Sequence, residues 1–261
     1  MTHVVVTGAS SGIGEALVRE YVGAGAHVTM VARRQSLLDA LKGELGAAVS
    51  VVIADLGDPT QSTAWIAGAI ADAGPIDVLI NNAGMQIIAR AHDVDNTRMR
   101  NMLEVDLMAP LAIIGVVLPQ MVARNSGAIV NVSSLAGLAP TPGMTHYSAA
   151  KAGLAAASEC LRGELRRTGV TVVTVYPGPV DTAMARAAYK VVPPTAAVRM
   201  LPEGNPAQLA RRVRKAVERR SARVIYPRAY ALARHTPALT RIMLDVLTPL
   251  PPPGRQPDGK T

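Results

Sequence analysis

The sequence contains no phenylalanine, one tryptophan and one cysteine among 261 residues. With aromatics at 3% of the chain, the packing of any core falls to Ala, Val, Leu, Ile and Met. The lone Cys160 excludes an intramolecular disulfide and a Cys-based zinc cluster, which fits a reducing, cytoplasmic setting and gives no reason to expect a metal. No uninterrupted apolar run reaches the ~18 residues of a membrane-spanning helix. The opening "MTHVVVTGAS" has neither the basic flank nor the apolar length of a signal peptide.

What is present is apolar residue in quantity, 49% of the chain, so a folded core is expected rather than disorder. Short β-branched runs alternate with longer Ala-rich periodic segments. The strands expected are His3–Thr7, His27–Ala32, Ala48–Ala54, Ile76–Ile80, Gly127–Ser133, Val170–Tyr176 and Ala222–Pro227. Between them, helices are expected at Gly12–Ala24, Leu37–Leu45, Gln61–Ala73, Asn96–Arg124 (bent at Pro110), Thr145–Thr168 and Pro206–Arg220. Such alternation predicts an α/β fold: a doubly wound parallel sheet of about seven strands with helices on both faces. One domain is expected over 1–250, with a C-terminal helical extension from about 227. The Pro- and Gly-rich tail 251–261 is expected to be disordered.

The net charge of +8 favours anionic partners. The densest basic run, "ARRVRKAVERRSAR" at Ala210–Arg223, places Leu209, Val213, Ala216 and Val217 on one helical face. The charges then occupy a solvated face, and no aromatics interleave to stack bases, so a nucleic-acid partner is not expected.

The first strand runs into "TGASSGIG", where Gly8, Gly12 and Gly14 open a helix. Glycines permit a tight turn and close backbone approach, and the helix start offers unpaired amides and the positive end of its dipole. Gly8, Ser10, Ser11, Gly12, Ile13 and Gly14 therefore form a candidate cradle for a dinucleotide pyrophosphate. The second strand ends "MVARRQS", without the acid that would bond a ribose 2′-hydroxyl. Arg33 and Arg34 stand there instead and suit a 2′-phosphate, so NADP(H) is expected over NAD(H), with Ser10 or Ser11 adding a hydroxyl.

Further along come "DL" at Asp55–Leu56, "NNAG" at Asn81–Gly84, "NVSS" at Asn131–Ser134, Tyr147 with Lys151, and "YPGPVDT" at Tyr176–Thr182. In this order, with the glycine loop, these motifs resemble the short-chain dehydrogenase/reductase family over nearly all of residues 3–226. The resemblance implies a Rossmann fold and an enzyme interconverting a carbonyl and an alcohol. Tyr147 would exchange the proton, and its four-residue spacing from Lys151 puts both on one helical face, where an ammonium favours the phenolate. Lys151 would also bond the nicotinamide ribose. Ser134 would polarise the carbonyl oxygen, Ser133 being the less favoured of the pair. Asp55 and Leu56 would hold the adenine, and Asn82, Ala83 and Gly84 would bring backbone to its ribose. Pro177 and Gly178 would shape the nicotinamide pocket, and Val180 and Thr182 would hold the carboxamide.

One position departs from the family. Where relatives carry an Asn that helps fix a proton-relaying water, this chain has Asp106, which when ionised accepts hydrogen bonds but cannot donate them. It is expected to be a working variant that raises the Tyr147 pKa. The apolar segment after Thr182, with Tyr189, Val191, Val192, Met200 and Leu201, fits either a lid over an apolar substrate or a plain connection. His146 is expected to be structural. The C-terminal segment, with Arg228, Arg234 and Arg241, resembles those of membrane-associated members; packing on the subunit or its dimer mate is the favoured reading, peripheral lipid contact the other. A homodimer is expected, through Leu103, Leu107, Leu111 and Ile114 on one helix and Leu154, Ala157, Leu161 and Leu165 on another. The alternatives are reduction of 3-oxoacyl groups on an acidic carrier protein, and a non-catalytic dinucleotide-sensing protein.

Overall fold

The computed structural model describes residues 1–193, 202–231, 244 and 248–254. Seven strands form one parallel sheet: β1 (His3–Thr7), β2 (His27–Ala32), β3 (Val49–Ile53), β4 (Val78–Asn81), β5 (Gly127–Val132), β6 (Val170–Pro177) and β7 (Arg223–Tyr226). Their order is β3-β2-β1-β4-β5-β6-β7, so the winding reverses between β1 and β4. The carboxyl ends of these two neighbours diverge into loops on opposite sides, which opens a crevice there.

Alternation along each strand divides the core in two. Val4 and Val6 face a layer made by α1 (Gly12–Gly23), α2 (Gln35–Leu45) and α8 (Pro206–Glu218), through Leu17, Leu38, Leu209 and Val213. Val5 faces the opposite layer, made by α3 (Ile66–Ala73), α5 (Ala109–Ala123) and α6 (Thr145–Glu164), with Ile66, Ile113, Val117 and Leu165. Without Phe, the largest fully buried side chains include Tyr176, Leu17, Met30 and Ile80. The basic face of α8 is turned outward, as its apolar stripe predicts: Leu209, Ala210, Val213 and Ala216 are buried.

Two helices differ from their sequence patterns for identifiable reasons. The segment expected to be helical from Gln61 forms turns up to Trp65. Asp58 accepts hydrogen bonds from the Thr60 amide (2.9 Å), the Thr60 hydroxyl (2.7 Å) and Gln61 Nε2 (2.7 Å), which competes with helix start. The long helix breaks into α4 (Asn96–Leu103), a π-helical turn at Glu104–Met108, and α5. Pro110 supplies no amide for the Asp106 carbonyl, and the ladder widens so that the Ala109 amide reaches the Glu104 carbonyl. The bend thus falls just before the proline rather than at it. By length and composition the stretch Asn96–Ala123 could cross a membrane, a property that follows from its inner face packing as core through Met102, Ile113, Val117 and Met121.

The tail corrects an expectation at Pro251–Gly254. Pro251 is buried, lies against Gly143, and its carbonyl accepts from Arg90 Nε at 3.1 Å. The Gly254 amide donates to Asp93 Oδ2 at 3.2 Å. The rest of the tail, 255–261, lies outside the described residues. So does most of the C-terminal extension, of which Arg228–Ala231 form a short 3-10 turn.

A buried polar chain crosses the sheet's centre. Asn81 Nδ2 donates to Asn131 Oδ1 (2.8 Å), Asn131 Nδ2 donates to Ser158 Oγ (2.8 Å), and Ser158 Oγ donates to the Leu154 carbonyl (2.7 Å). It ties β4 to β5 and β5 to α6. Replacing Asn131 by Ala leaves Asn81 Nδ2 buried without an acceptor and opens a cavity. A loss of about 2–4 kcal/mol is expected, read as a lower urea midpoint at unchanged slope.

Candidate functional site

The crevice beside β1 is built by close backbone approach. A Cβ on Gly8 would lie 2.7 Å from Ala83 Cα, and one on Gly14 would lie 2.1 Å from the Gly8 carbonyl oxygen. Gly8 and Gly12 also have φ of 65° and 60°, which favours glycine. Thr7 holds this loop against the segment after β4. Its hydroxyl accepts the Asn82 and Ala83 amides, each at 3.0 Å, while Asn82 Nδ2 donates to the Thr7 carbonyl at 2.9 Å. The Asn82 side chain is therefore spent bracing the loop. Thr7 lies within the glycine motif, but nothing in the sequence pattern distinguishes it as the clamp.

Arg34 extends across the loop. Its Nη2 donates to Ser10 Oγ (3.0 Å) and Ser11 Oγ (2.6 Å), and Nε donates to Ser10 Oγ (3.2 Å). Arg33 leans the other way, 3.7 Å from Asp55 Oδ2; both side chains are about half exposed, so the pair is loose. Adjacent Arg33 and Arg34 thus tie Asp55 and the two serines to the end of β2, and Leu56 is buried. The glycines leave room that a Cβ would fill, and the hydroxyls and guanidinium groups suit a phosphorylated ribose. The residues present fit a nicotinamide dinucleotide.

The other end of the crevice gathers around α6. Tyr147 is 8% exposed, Lys151 3% and Asp106 0%. Lys151 Nζ lies 5.9 Å from the Tyr147 ring centroid, donates to the Val132 carbonyl at 3.3 Å, and faces Asp106 Oδ2 at 3.4 Å. Asp106 Oδ1 accepts the Met85 amide at 2.7 Å. The carboxylate thus meets the ammonium directly. The π turn carries Asp106, and Gly84 makes space for the pair: a Cβ there would sit 3.1 Å from Lys151 Nζ and 3.3 Å from Asp106 Oδ1. Gly84 therefore belongs to the Lys151 end of the crevice.

The two serines separate. Ser133 Oγ donates to the Lys151 carbonyl at 2.8 Å, anchoring the helix, whereas Ser134 stands by the Tyr147 phenol, close enough to lower its pKa. Ser134 also accepts the Ala136 amide at 3.1 Å, which fixes its rotamer. Burial raises the phenol pKa most; Lys151 and, less strongly, Ser134 lower it, and Asp106 raises it further. Burial also pushes the Asp106 carboxyl up, against the opposing pull of the Lys151 ammonium and the Met85 amide. A phenol held this way can give a proton to, or take one from, an oxygen placed between it and Ser134.

The loop after β6 closes the far wall. The Gly178 amide donates to the Tyr226 carbonyl (2.7 Å), and Pro177 ends the strand. Val180 is buried and pairs with Gly204, while Thr182 caps α7 (Ala183–Val191) by accepting the Ala185 amide at 3.2 Å. A Cβ on Gly12 would meet Thr182 Cγ2 at 3.1 Å, so this loop adjoins the phosphate cradle. Tyr189, Val191 and Val192 fall on or beside α7, whereas Met200 and Leu201 lie outside the described residues. His146 is half-buried beside the site. Among the described residues, no group of His, Cys, Asp and Glu could hold a metal ion.

Comparison with known proteins agrees with this geometry. A family model described as "short chain dehydrogenase" matches residues 2–191. A ketoacyl reductase of Nostoc sp. is 34% identical over 248 residues, covering 93% of this chain and 83% of that protein. An uncharacterized oxidoreductase of Staphylococcus epidermidis is 34% identical over 180 residues, 69% of this chain and 78% of its own. Among solved structures, a short-chain dehydrogenase from Streptomyces avermitilis superposes with a TM-score of 0.82 at 29% identity, covering 94% and 96% of the two chains. The closed form of a serine dehydrogenase complexed with NADP⁺ gives 0.75 at 30% identity, covering 82% and 88%.

The direct contact of Asp106 with Lys151 has a measurable consequence. Asp106→Asn removes one charge that holds the phenol pKa up, while an amide oxygen can still accept the Met85 amide. The alkaline limb of the pH–rate profile for alcohol oxidation should move to lower pH, with turnover kept or raised. Superimposable profiles for the two forms would show that Asp106 does not act on the proton path.

Proposed function

The chain belongs to the short-chain dehydrogenase family, and from that premise we propose that it is an NADP(H)-dependent oxidoreductase interconverting a ketone or aldehyde with the alcohol on an apolar substrate. The observation that carries the cofactor choice is Arg34 held between Ser10 and Ser11 at the end of β2, with Arg33 beside it and no acid at that strand end. When bound, a nicotinamide dinucleotide supplies or accepts the hydride. Around it, Gly8, Gly12, Ile13 and Gly14 leave room for the pyrophosphate, Arg33 and Arg34 pair with the 2′-phosphate, and Asp55 and Leu56 border the adenine. Lys151 faces the nicotinamide ribose. Ser134 orients the substrate oxygen and Tyr147 moves the proton.

The apolar surroundings of the phenol support an apolar substrate. Ile87, Ala89, Met102 and Ala136 form a small buried cluster with Tyr147, and the partly buried Met85, Val94 and Met144 pack against it. The named ketoacyl reductase, matched along 93% of this chain, favours a second reading: a 3-oxoacyl group as substrate, delivered by an acidic carrier. Saturable binding of an acyl carrier protein separates that reading from a free apolar carbonyl. A carbonyl panel with NADPH tests the reaction itself.

A homodimer is part of the proposal. Of the residues expected at its interface, Ile114, Leu154 and Leu165 are buried in the subunit's own core. The outward face of α5 and of the π turn before it is nevertheless apolar: Met108 is 51% and Val116 50% exposed, in line with exposed Ala112, Gly115 and Pro119. A second copy of that face is its natural cover. Light scattering at micromolar concentration should give a dimer, and Val116→Asp should give a monomer; a monomeric native protein would overturn the assignment.

Cofactor preference is tested by replacing both Arg33 and Arg34 with Ala. Loss of charge-assisted bonds to a 2′-phosphate should weaken NADPH binding by roughly a hundredfold, and NADH binding by less than about tenfold. An unchanged ratio in fluorescence titrations would refute the NADP(H) reading.

A further inference from the structure

A cavity of about 250 Å³ lies away from the crevice, between α8 and the outer edge of β7. Its lining is Arg212, Lys215, Ala216, Arg219, Ser221, Arg223, Val224, Ile225 and Arg228, five cations and no carboxylate. Arg212, Lys215 and Arg219 recur at helical spacing along one face of α8, and Arg223 and Arg228 flank the strand opposite. We propose that this groove is a second anion site, for a compact soluble ligand carrying linked phosphates.

The charge count supports this first. Arg223 is neutralised by Glu159, which also takes Arg162. The neighbouring acid Glu218 turns to Arg214, which in turn meets Glu20 on α1. Among the described residues, Arg212, Lys215, Arg219 and Arg228 have no carboxylate within ion-pair distance. Arg212 instead stacks on the Tyr226 ring, 5.3 Å from its centroid, which holds one guanidinium in place. Four uncompensated cations converging on one concavity repel one another, and a multivalent anion relieves that repulsion. Guanidinium groups match phosphate oxygens in pairs, which favours linked phosphates over simple carboxylates.

The strand edge is open. β7 is the last strand of the sheet and, among the described strands, pairs only with β6. The carbonyls of Ala222 and Tyr226 accept the Thr174 and Gly178 amides, so by alternation Ile225 turns its amide and carbonyl to the free edge, where the flanking guanidinium groups can cover the carbonyl and leave the amide as a donor. The shape excludes other occupants. A second copy docked about a two-fold axis would set these cations against their own image, and charged edges of this kind block strand pairing. A nucleic-acid strand would need exposed aromatic surfaces, and Tyr226 is buried beneath Arg212. A membrane surface would need projecting apolar side chains beside the charges, and Val224, Ala216 and Ile225 are buried or half-buried.

The test is calorimetric titration of sodium tripolyphosphate into the full chain saturated with NADP⁺, so that the phosphate cradle at Gly8–Gly14 is filled. One saturable site is expected, weakening at least about tenfold between about 50 and about 200 mM salt. The double variant Lys215→Glu, Arg219→Glu should abolish it while leaving NADPH affinity and the unfolding midpoint unchanged; Lys215→Met with Arg219→Gln serves if the charge reversal does not fold. Arg34→Ala should leave it intact. The proposal is overturned by absence of saturable heat, by binding that survives loss of Lys215 and Arg219, or by binding lost with Arg34, which would place it in the cofactor crevice. It is also overturned by binding to vesicles containing phosphatidylinositol bisphosphate without binding to tripolyphosphate. The site stands independently of the cofactor reading.

Discussion

The ammonium of Lys151 is the group around which the crevice's inner end is arranged. An amine buried to 3% exposure must be paired and hydrogen-bonded or it loses its charge. Its partners come from different parts of the chain: the Val132 carbonyl at the end of β5, Asp106 in the π turn, and the Tyr147 ring one helical turn back. Gly84, following β4, leaves the space in which the ammonium and carboxylate meet. Ser133 fixes the Lys151 carbonyl to the same strand end. None of these contacts is local except that to Tyr147, so the cation is seated only when the strand ends, the π turn and α6 have come together.

Asp106 changes the electrostatic balance of that arrangement. An ammonium alone would draw the buried phenol toward its ionised form. A carboxylate at 3.4 Å from the ammonium makes the pair nearly neutral at a distance, and the phenol senses the difference. The same carboxylate holds the Met85 amide, which ends the segment that begins at Asn81. The residue thus combines a structural tie with a field effect, and only the second is removed by exchanging a carboxylate for an amide.

Much of this was legible in the sequence, and the limits have physical causes. Strands buried on both faces show as continuous apolar runs, so every strand could be placed within two residues. The glycine cradle was legible because only glycine survives such backbone contacts. The start of α3 was not, since it depends on Asp58 capturing Thr60 and Gln61 rather than on helix propensity. Pro110 marked the disturbance in the long helix but not its form: a proline reports a missing donor, while the widened turn upstream depends on which amide finds the stranded carbonyls. Which of Arg33 and Arg34 would lie across the serines could not be read from two identical side chains. The docking of Pro251 against Gly143 and Arg90 involves residues far apart in sequence, and composition alone reads that tail as loose.

The two ends of the crevice are joined through consecutive residues. The Ala83 backbone touches Gly8 closely enough to exclude a side chain there, and the next residue, Gly84, lies against the side-chain ends of Lys151 and Asp106. Thr7 clamps Asn82 and Ala83 through one hydroxyl, at the end of the strand that leads into the phosphate cradle. A displacement of the cradle therefore bears first on the Ala83 backbone, one residue before Gly84, whose neighbours are the Lys151 ammonium and the Asp106 carboxylate. In the proposed reaction this makes the seating of the dinucleotide phosphates and the setting of the proton donor one mechanical unit, with Thr7 at its fulcrum.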